Sequence, residues 1–194
     1  FNSNSIKKLS EDDFSLEIIK LIFPQFKNLQ VLKNLNNFGK KNLQNIDFCF
    51  LLSLLIIDET DNSDYFFYKF NISKKYQKRI LIIKDFFYKN KENQKINTQN
   101  LWKVFYKYGK ESLKDILNYK LFISKKADKK IIDYLKFFDE KNIPIFPIKG
   151  EDLMKKFDIP QGKKVGENLK LVEDYWINNN FKISDKELEK IVKN

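Results

Sequence analysis

Apolar residues recur at intervals of three and four along most of the chain, and no alternation of apolar and polar residues persists for five residues. The first pattern places apolar side chains on one face of a helix, whereas the second is typical of a strand. Residues 46–57 are apolar on nearly every side, which predicts a central buried helix. The sequence therefore predicts an all-α fold without a sheet, in which a small helical tail follows a multi-helix body.

Capping residues and a glycine predict the boundaries of the first helices. Ser10 and Asp13 precede an apolar stripe at helical spacing, as expected for a helix start. The residues of this stripe are Phe14, Ile18, Ile19 and Ile22. Gly39 is predicted to be the C-terminal cap of a second helical segment. Residues 58–64 are acidic and rich in turn-forming residues, which predicts a loop.

Similar signals organise the middle of the chain. Ser73 is a predicted cap of a basic helix. A longer helix is expected after a polar linker at residues 90–97, with a bend near Gly109 and a continuation to about Phe122. The positions predicted to be buried in the first half of that helix are Leu101, Val104, Phe105 and Tyr108. A further helix is predicted over residues 124–141.

A boundary is predicted at the segment that contains Pro144 and Pro147. Two prolines three residues apart hold the backbone extended and prevent a helix from passing through this point. Residues 1–142 are therefore expected to form the helical body, and residues 143–194 the helical tail.

The formal net charge of +11 favours a nucleic-acid partner, but it does not identify one. Lys, Asn, Ile, Phe and Tyr are abundant and all have A/T-rich codons, whereas Ala127 and Arg79 are the only residues of their types. Genomic base bias therefore explains much of the lysine content. The sequence contains no histidine, which excludes Ser-His-Asp and Cys-His nucleophilic sites and a His-rich zinc site within this chain.

The single cysteine, Cys49, lies in the most apolar segment and is predicted to be a small buried hydrophobic residue. The chain has no disulfide framework and no visible signal peptide, so a cytoplasmic location is expected. Its longest apolar run is about half as long as a bilayer requires, and no membrane partner is expected.

The most informative segment lies in the predicted tail. Gly150 is expected to open a short helix that has Glu151 and Asp152 in its first turn, where carboxylates suit the helix dipole. A turn at residues 159–162 leads to a second helix that begins near Lys163. The core-facing stripe predicted for this second helix is Val165, Leu169, Val172 and Trp176. Its first turn would combine free N–H groups, a positive dipole and two lysines, which suits phosphate binding.

A simpler interpretation of the tail glycines remains open. Gly162 can be a turn residue only, and Gly166 can serve to let two helices cross closely. On that interpretation a larger side chain at Gly166 would overpack the crossing and destabilise the tail by about 1–3 kcal/mol.

Residues 147–176 carry an ordered set of motifs. Hydrophobic-x-Gly-x-Asp-Leu occupies residues 148–153, Pro-x-Gly-x-x-hydrophobic-Gly-x-x-Leu occupies residues 160–169, and an aromatic pair follows at Tyr175 and Trp176. This order resembles the tail signature of bacterial tRNA nucleotidyltransferases, the family of CCA-adding enzymes and poly(A) polymerases. The motif positions that carry the resemblance are Gly150, Asp152, Leu153, Pro160, Gly162 and Gly166. Weaker similarities occur at residues 51–55, 70–73 and 101–117.

The resemblance implies an RNA-binding C-terminal portion of a template-independent nucleotidyltransferase, comprising a neck remnant, the body and the tail. Such enzymes add CCA or A to RNA 3′ ends from CTP and ATP, and their catalytic head binds Mg²⁺ through an Asp-x-Asp pair. This sequence contains no Asp-x-Asp pair. The chain alone is therefore expected to contain no catalytic residue, metal site or cofactor and to transfer no nucleotide, and its expected partners are tRNA or another structured RNA and the missing head.

The resemblance also predicts where RNA is bound. Lysines near the tail helix starts would contact phosphates, and the basic helix after Ser73 would extend their track. These residues are Lys149, Lys163, Lys164, Lys74, Lys75, Lys78 and Arg79. Two alternatives remain open, namely a stand-alone RNA-binding or assembly module of the same fold and a helical interaction protein whose lysines reflect base bias alone. CCA addition and poly(A) addition are not separated by this part of the sequence.

Overall fold

The structure, a computed structural model, describes residues 12–89 and 96–193, which form helices and no strands. The all-α prediction is confirmed. The body helices are α1 (Asp13–Ile22), α2 (Gln30–Lys33), α3 (Asn37–Asn42), α4 (Phe48–Ile56), α5 (Asn62–Lys69), α6 (Lys74–Lys84), α7 (Thr98–Ile123) and α8 (Lys129–Asp139). The tail helices are α9 (Gly150–Phe157), α10 (Lys163–Asn178) and α11 (Asp185–Lys193). A 3₁₀ turn (Leu43–Asn45) precedes α4, and a π-helical turn (Asp85–Lys89) follows α6.

Helix α4 is the centre of the body core, as predicted. Every residue from Cys49 to Ile57 is buried, and α4 packs against α6 and α7. Burying each large apolar side chain of this helix contributes roughly 1.5–3 kcal/mol. Burial also raises the pKa of the Cys49 thiol to about 11, so this cysteine is a packed hydrophobic residue rather than a reactive thiolate.

The predicted start of the first helix needs a correction. Ser10 lies outside the described residues, and Asp12 caps α1 by accepting hydrogen bonds from the backbone N–H groups of residues 14 and 15. The predicted apolar stripe is largely exposed, because Phe14 is 70% and Ile22 is 58% accessible. Leu16, which is not part of that stripe, is the residue that α1 buries in the core.

The assignment of Gly39 as a C-terminal cap is wrong. Gly39 lies within α3, where its N–H donates to Oδ1 of the N-cap residue Asn36 at 3.0 Å. A Cβ atom at Gly39 would lie 2.8 Å from the Leu35 side chain. The glycine therefore lies in close contact with Leu35 and does not terminate the helix.

Two other predicted boundaries shift. The loop expected at residues 58–64 is shorter, because helix α5, which the sequence analysis did not predict, already begins at Asn62. The amide of Asn62 is buried and donates to the carbonyls of Gln25 and Ile56, so tertiary contacts fix this helix start. Helix α8 begins only at Lys129, after the capping side chain of Asp128. Most of the predicted linker at residues 90–97 lies outside the described residues.

The tail has its own small apolar cluster, in which Leu153, Val172 and Leu188 are buried. It also packs against the first half of α7. The Trp176 ring lies 5.4 Å from that of Tyr106, Phe181 lies 5.9 Å from Trp102, and the Tyr106 hydroxyl donates to Glu173. The division of the chain into two domains at residue 143 stays a prediction. None of the described helices is both long enough and apolar enough to cross a membrane.

Candidate nucleic-acid interface

A basic groove of about 500 Å³ lies where α6, α7 and the start of α4 meet. We call it the body groove and define it by four cations and two tyrosines that line it, namely Lys75, Lys78, Arg79, Lys107, Tyr76 and Tyr108. Three of the cations were predicted RNA contacts on α6. The structure brings them opposite Lys107 and Tyr108, which the sequence analysis did not select.

Arg79 holds the three helices of the groove together. Its Nε and Nη2 donate to the two carboxylate oxygens of Asp115 on α7 at 2.5 and 2.8 Å, and its Nη1 donates to Asp47 before α4 at 2.6 Å. The Asp115 side chain is only 8% exposed. Burial raises the pKa of Asp115 despite the opposing effect of the Arg79 guanidinium. The carboxylates of Asp115 and Asp47 in turn raise the pKa of Arg79.

This bidentate ion pair changes the interpretation of Arg79. A planar guanidinium that meets a buried carboxylate through two hydrogen bonds is fixed in position. The first effect of Arg79 is therefore to align the groove walls. Lys75 and Lys78 are exposed, and Lys74 donates to Gln77 at 3.3 Å. A direct RNA contact at each of these four predicted residues stays a prediction.

Gly109 determines where Tyr108 and Lys107 lie. It interrupts α7 with a φ of 82° and a ψ of 177°, a backbone conformation that residues with a Cβ atom rarely adopt. The predicted bend is confirmed, but its consequence for Tyr108 was missed. Tyr108 was expected to be buried on the helical stripe, whereas it is 39% exposed at the end of the first half of α7.

A second depression of about 320 Å³ continues the body groove along α7. The two depressions share Ile82, Lys107 and Tyr108, and the second adds Lys103 together with Asp85, whose carboxylate is paired with Lys89 at 3.0 Å. Lys103 and Lys107 are one turn apart, a rise of about 6 Å along the helix. The basic surface on α7 is therefore elongated.

The tail carries a second basic surface, which we call the tail turn and define as Gly162, Lys163, Lys164 and Gly166. Helix α10 begins at Lys163, as predicted, and its stripe is buried or partly buried from Val165 to Trp176. Lys163 and Lys164 are exposed, and Lys163 forms only an exposed ion pair with Glu167 at 3.4 Å. The N–H groups of a first helical turn lack intrahelical partners and attract anions.

Gly150 and Gly166 differ in how closely other parts of the chain approach them. A Cβ atom at Gly150 would lie 3.3 Å from Val165, so the close approach between α9 and α10 occurs there. At Gly166 a Cβ atom would meet nothing within 4 Å. The alternative interpretation, in which Gly166 lets two helices cross closely, is therefore wrong, because this position is open.

The other motif positions differ in their surroundings. The backbone N–H of Lys149 donates to the Asp152 carboxylate at 2.7 Å, which satisfies one donor at the helix start. Leu153 is fully buried in the tail cluster, whereas Pro160 and the Lys149 side chain are exposed. Lys164 also borders a depression of about 540 Å³ whose lining includes Lys156, Glu189 and Lys193. Within residues 12–89 and 96–193, no cluster of acidic or cysteine side chains is arranged to hold a metal ion.

Comparison with known proteins supplies a family. The family model described as tRNA nucleotidyltransferase domain 2 matches residues 42–192, which include the body groove and the tail turn. No curated protein matches the chain.

Proposed function

Because the chain belongs to the tRNA nucleotidyltransferase domain 2 family, we propose that its body and tail bind tRNA or another structured RNA. They would do so as the RNA-binding portion of a template-independent nucleotidyltransferase that adds CCA or A. The residues of this chain do not fit the family's Mg²⁺ site, because the sequence contains no Asp-x-Asp pair. No step of nucleotide transfer is assigned to them.

The tail turn is the observation that carries this proposal. Lys163 and Lys164 stand beside the N-terminus of α10, where the dipole and the first N–H groups favour a phosphate. Gly166 is exposed, and a Cβ atom there would meet nothing within 4 Å, so this face of the helix start is open to a phosphate chain. In a double-stranded RNA such contacts recognise shape, phosphates and 2′-hydroxyl groups rather than base sequence.

The body groove would extend this phosphate track. Its exposed lysines on α6 and Lys107 on α7 offer positive charge, while Arg79 keeps the walls in register. We place this function in the cytoplasm, consistent with a single, buried cysteine.

The proposal is tested by titrating the chain with a folded tRNA and with a DNA hairpin of matching sequence, at the same ionic strength. Tighter binding of the RNA is expected, because the 2′-hydroxyl groups are recognised in addition to the phosphates. The same preparation is expected to incorporate no CTP or ATP. Equal affinity for the tRNA and the DNA hairpin would reduce the chain to a basic helical protein without RNA specificity.

A further inference from the structure

We propose that the body groove binds an unpaired nucleotide of the RNA strand, with its base stacked on Tyr76 or Tyr108 and its phosphates held by the groove lysines. This proposal rests on the proposed RNA-binding function and deepens it. Lys75-Tyr76 lies on one wall and Lys107-Tyr108 on the other, so a cation and an aromatic ring follow each other on both walls.

The charge balance of the groove favours an anion. Lys75, Lys78, Arg79 and Lys107 line it, and Asp47 is its only lining carboxylate in the described structure. Asp47 is already paired with Arg79, and the second carboxylate partner of Arg79 is the buried Asp115. The three lysines are therefore the charges that remain available to a ligand. Lysine binds phosphate as a point charge, so these residues suit the phosphates of a nucleic acid.

The two tyrosines add aromatic rings, which a surface that binds only phosphates would not need. Tyr76 and Tyr108 are each 39% exposed, so part of each aromatic side chain is accessible from the groove. The amine of Lys107 lies 5.3 Å from the centre of the Tyr108 ring, which places charge beside that ring. Proteins that bind single-stranded nucleic acids combine a basic groove with aromatic rings on which bases stack, and every base has a face to stack.

The fold holds together the two helices that carry these rings. Arg79 joins the helix that carries Tyr76 to the helix that carries Tyr108, and Gly109 determines the bend beside Tyr108. A preorganised site loses less side-chain freedom when a ligand binds. Both tyrosines thus belong to a surface that is shaped before RNA arrives.

The size of the groove favours one unpaired strand. Its volume of about 500 Å³ lies within the range of small-ligand sites, roughly 300–1,000 Å³. It is open and continues past Tyr108 to Lys103, as a passing strand requires. A paired duplex keeps its bases stacked inside and cannot offer one to a tyrosine.

The test uses the full chain and two RNAs, a blunt hairpin and the same hairpin with an unpaired 3′ extension that contains 2-aminopurine. Stacking on a tyrosine quenches 2-aminopurine fluorescence, and anisotropy reports the affinity. The variants are Tyr76→Leu/Tyr108→Leu, the ring-preserving Tyr76→Phe/Tyr108→Phe, and the control Tyr68→Leu, which removes a tyrosine that is 87% exposed on α5. Thermal unfolding of each variant verifies that the fold is retained.

We expect the wild type and the Phe variant to bind the extended hairpin more tightly than the blunt one and to quench its fluorescence. The Leu variant is expected to lose about tenfold or more in affinity for the extended hairpin, together with the quenching, and to bind the blunt hairpin as the wild type does. The Tyr68→Leu variant is expected to behave as the wild type.

Unchanged quenching and affinity in the Leu variant, with hairpin binding intact, would overturn the groove proposal and leave the proposed function standing. Failure of the wild type to bind either hairpin would overturn both. Equally tight binding of free AMP, which lacks the continuing strand, would overturn the assignment to an RNA strand.

Discussion

The body groove and the tail turn are both basic, but they are built in different ways. In the groove, cations lie on helices that are packed on the central core, and a buried carboxylate fixes Arg79 between them. In the tail turn, Lys163 and Lys164 extend from the first turn of α10 beside Gly166, where a Cβ atom would meet nothing within 4 Å. Charge alone does not distinguish the two surfaces. The groove is held by a buried ion pair and carries two tyrosines, which suits a preformed site. The tail turn is exposed and carries no aromatic ring, which suits an open phosphate contact.

The apolar cores behind the two surfaces differ in the same sense. The body core is continuous from α1 to α8 around α4. The tail cluster is much smaller, and Trp176 and Phe181 extend it onto α7 through ring contacts. We therefore expect substitutions in the Arg79–Asp115 ion pair of the body to affect global stability most, and substitutions in the tail to affect it less.

The largest effect is expected for Arg79→Met. Removing the guanidinium leaves Asp115 buried without its partner, and breaking a buried ion pair in this way costs about 3–5 kcal/mol. The double variant Arg79→Met/Asp115→Leu should recover much of this loss. Urea unfolding measures it, with the exposed neighbour Lys78→Met as the control. Similar free energies of unfolding for Arg79→Met and Lys78→Met would show that the ion pair between Arg79 and Asp115 does not stabilise the fold.

The pH dependence of the Arg79→Met variant sharpens the same point. Burial already raises the pKa of Asp115, and loss of Arg79 raises it further. The charged form is the one that the folded variant disfavours, so protonation at low pH removes the penalty. The stability deficit relative to the wild type should therefore shrink as the pH falls towards the pKa of Asp115. A deficit that stays constant with pH would contradict this origin.

An intermediate effect is expected for Tyr106→Phe, which removes the hydroxyl that donates to Glu173 between body and tail. Loss of a hydrogen bond to a charged group costs about 1.5 kcal/mol. Burial, assisted by Glu173, raises the pKa of Tyr106 to about 12. The contribution of this contact is therefore complete below the unfolded pKa of about 10 and is lost as the pH rises through the folded value.

Alkaline unfolding of wild type and Tyr106→Phe tests this sign. The stability difference between the two proteins should be constant near neutral pH and should disappear at high pH. The matched control is Tyr68→Phe on the exposed face of α5. A difference that grows with alkaline pH would contradict the assignment.

A small effect of opposite sign is expected for Gly166→Ala. A Cβ atom meets nothing there, and replacing a helical glycine with alanine stabilises a helix by roughly 0.5–1 kcal/mol. Gly150→Ala is the contrasting variant, because its Cβ atom would press on Val165 at 3.3 Å. Thermal unfolding should show a higher midpoint for Gly166→Ala than for the wild type. A lower midpoint would reinstate the helix crossing.

Periodicity and caps in the sequence predict much of the fold. The central helix α4, the bend at Gly109 and the stripe from Val165 to Trp176 depend on local spacing and are confirmed. Helix α5 was not predicted, because its start depends on buried hydrogen bonds of Asn62 that reach residues elsewhere in the chain.

The body groove was only half predictable for the same reason. The carboxylate partners of Arg79 lie 32 and 36 residues away in the sequence, and no local pattern identifies them. Lys107 and Tyr108 join the basic face of α6 only when α6 and α7 pack together. The repeated Lys-Tyr pair was the one local signal available.

We expect RNA binding to depend on where the lysines lie rather than on how many there are. The direct measurement is the salt dependence of tRNA affinity for three double variants that each remove two exposed lysines. These are Lys163→Ala/Lys164→Ala in the tail turn, Lys75→Ala/Lys78→Ala in the body groove, and the control Lys125→Ala/Lys126→Ala after α7.

Each phosphate contact contributes on the order of one unit to the slope of log affinity against log salt. We predict that the tail and groove variants each reduce the magnitude of this slope by about one to two, whereas the control changes it far less. Indistinguishable slopes for all three variants would contradict localised binding and would leave only a diffuse field from scattered lysines.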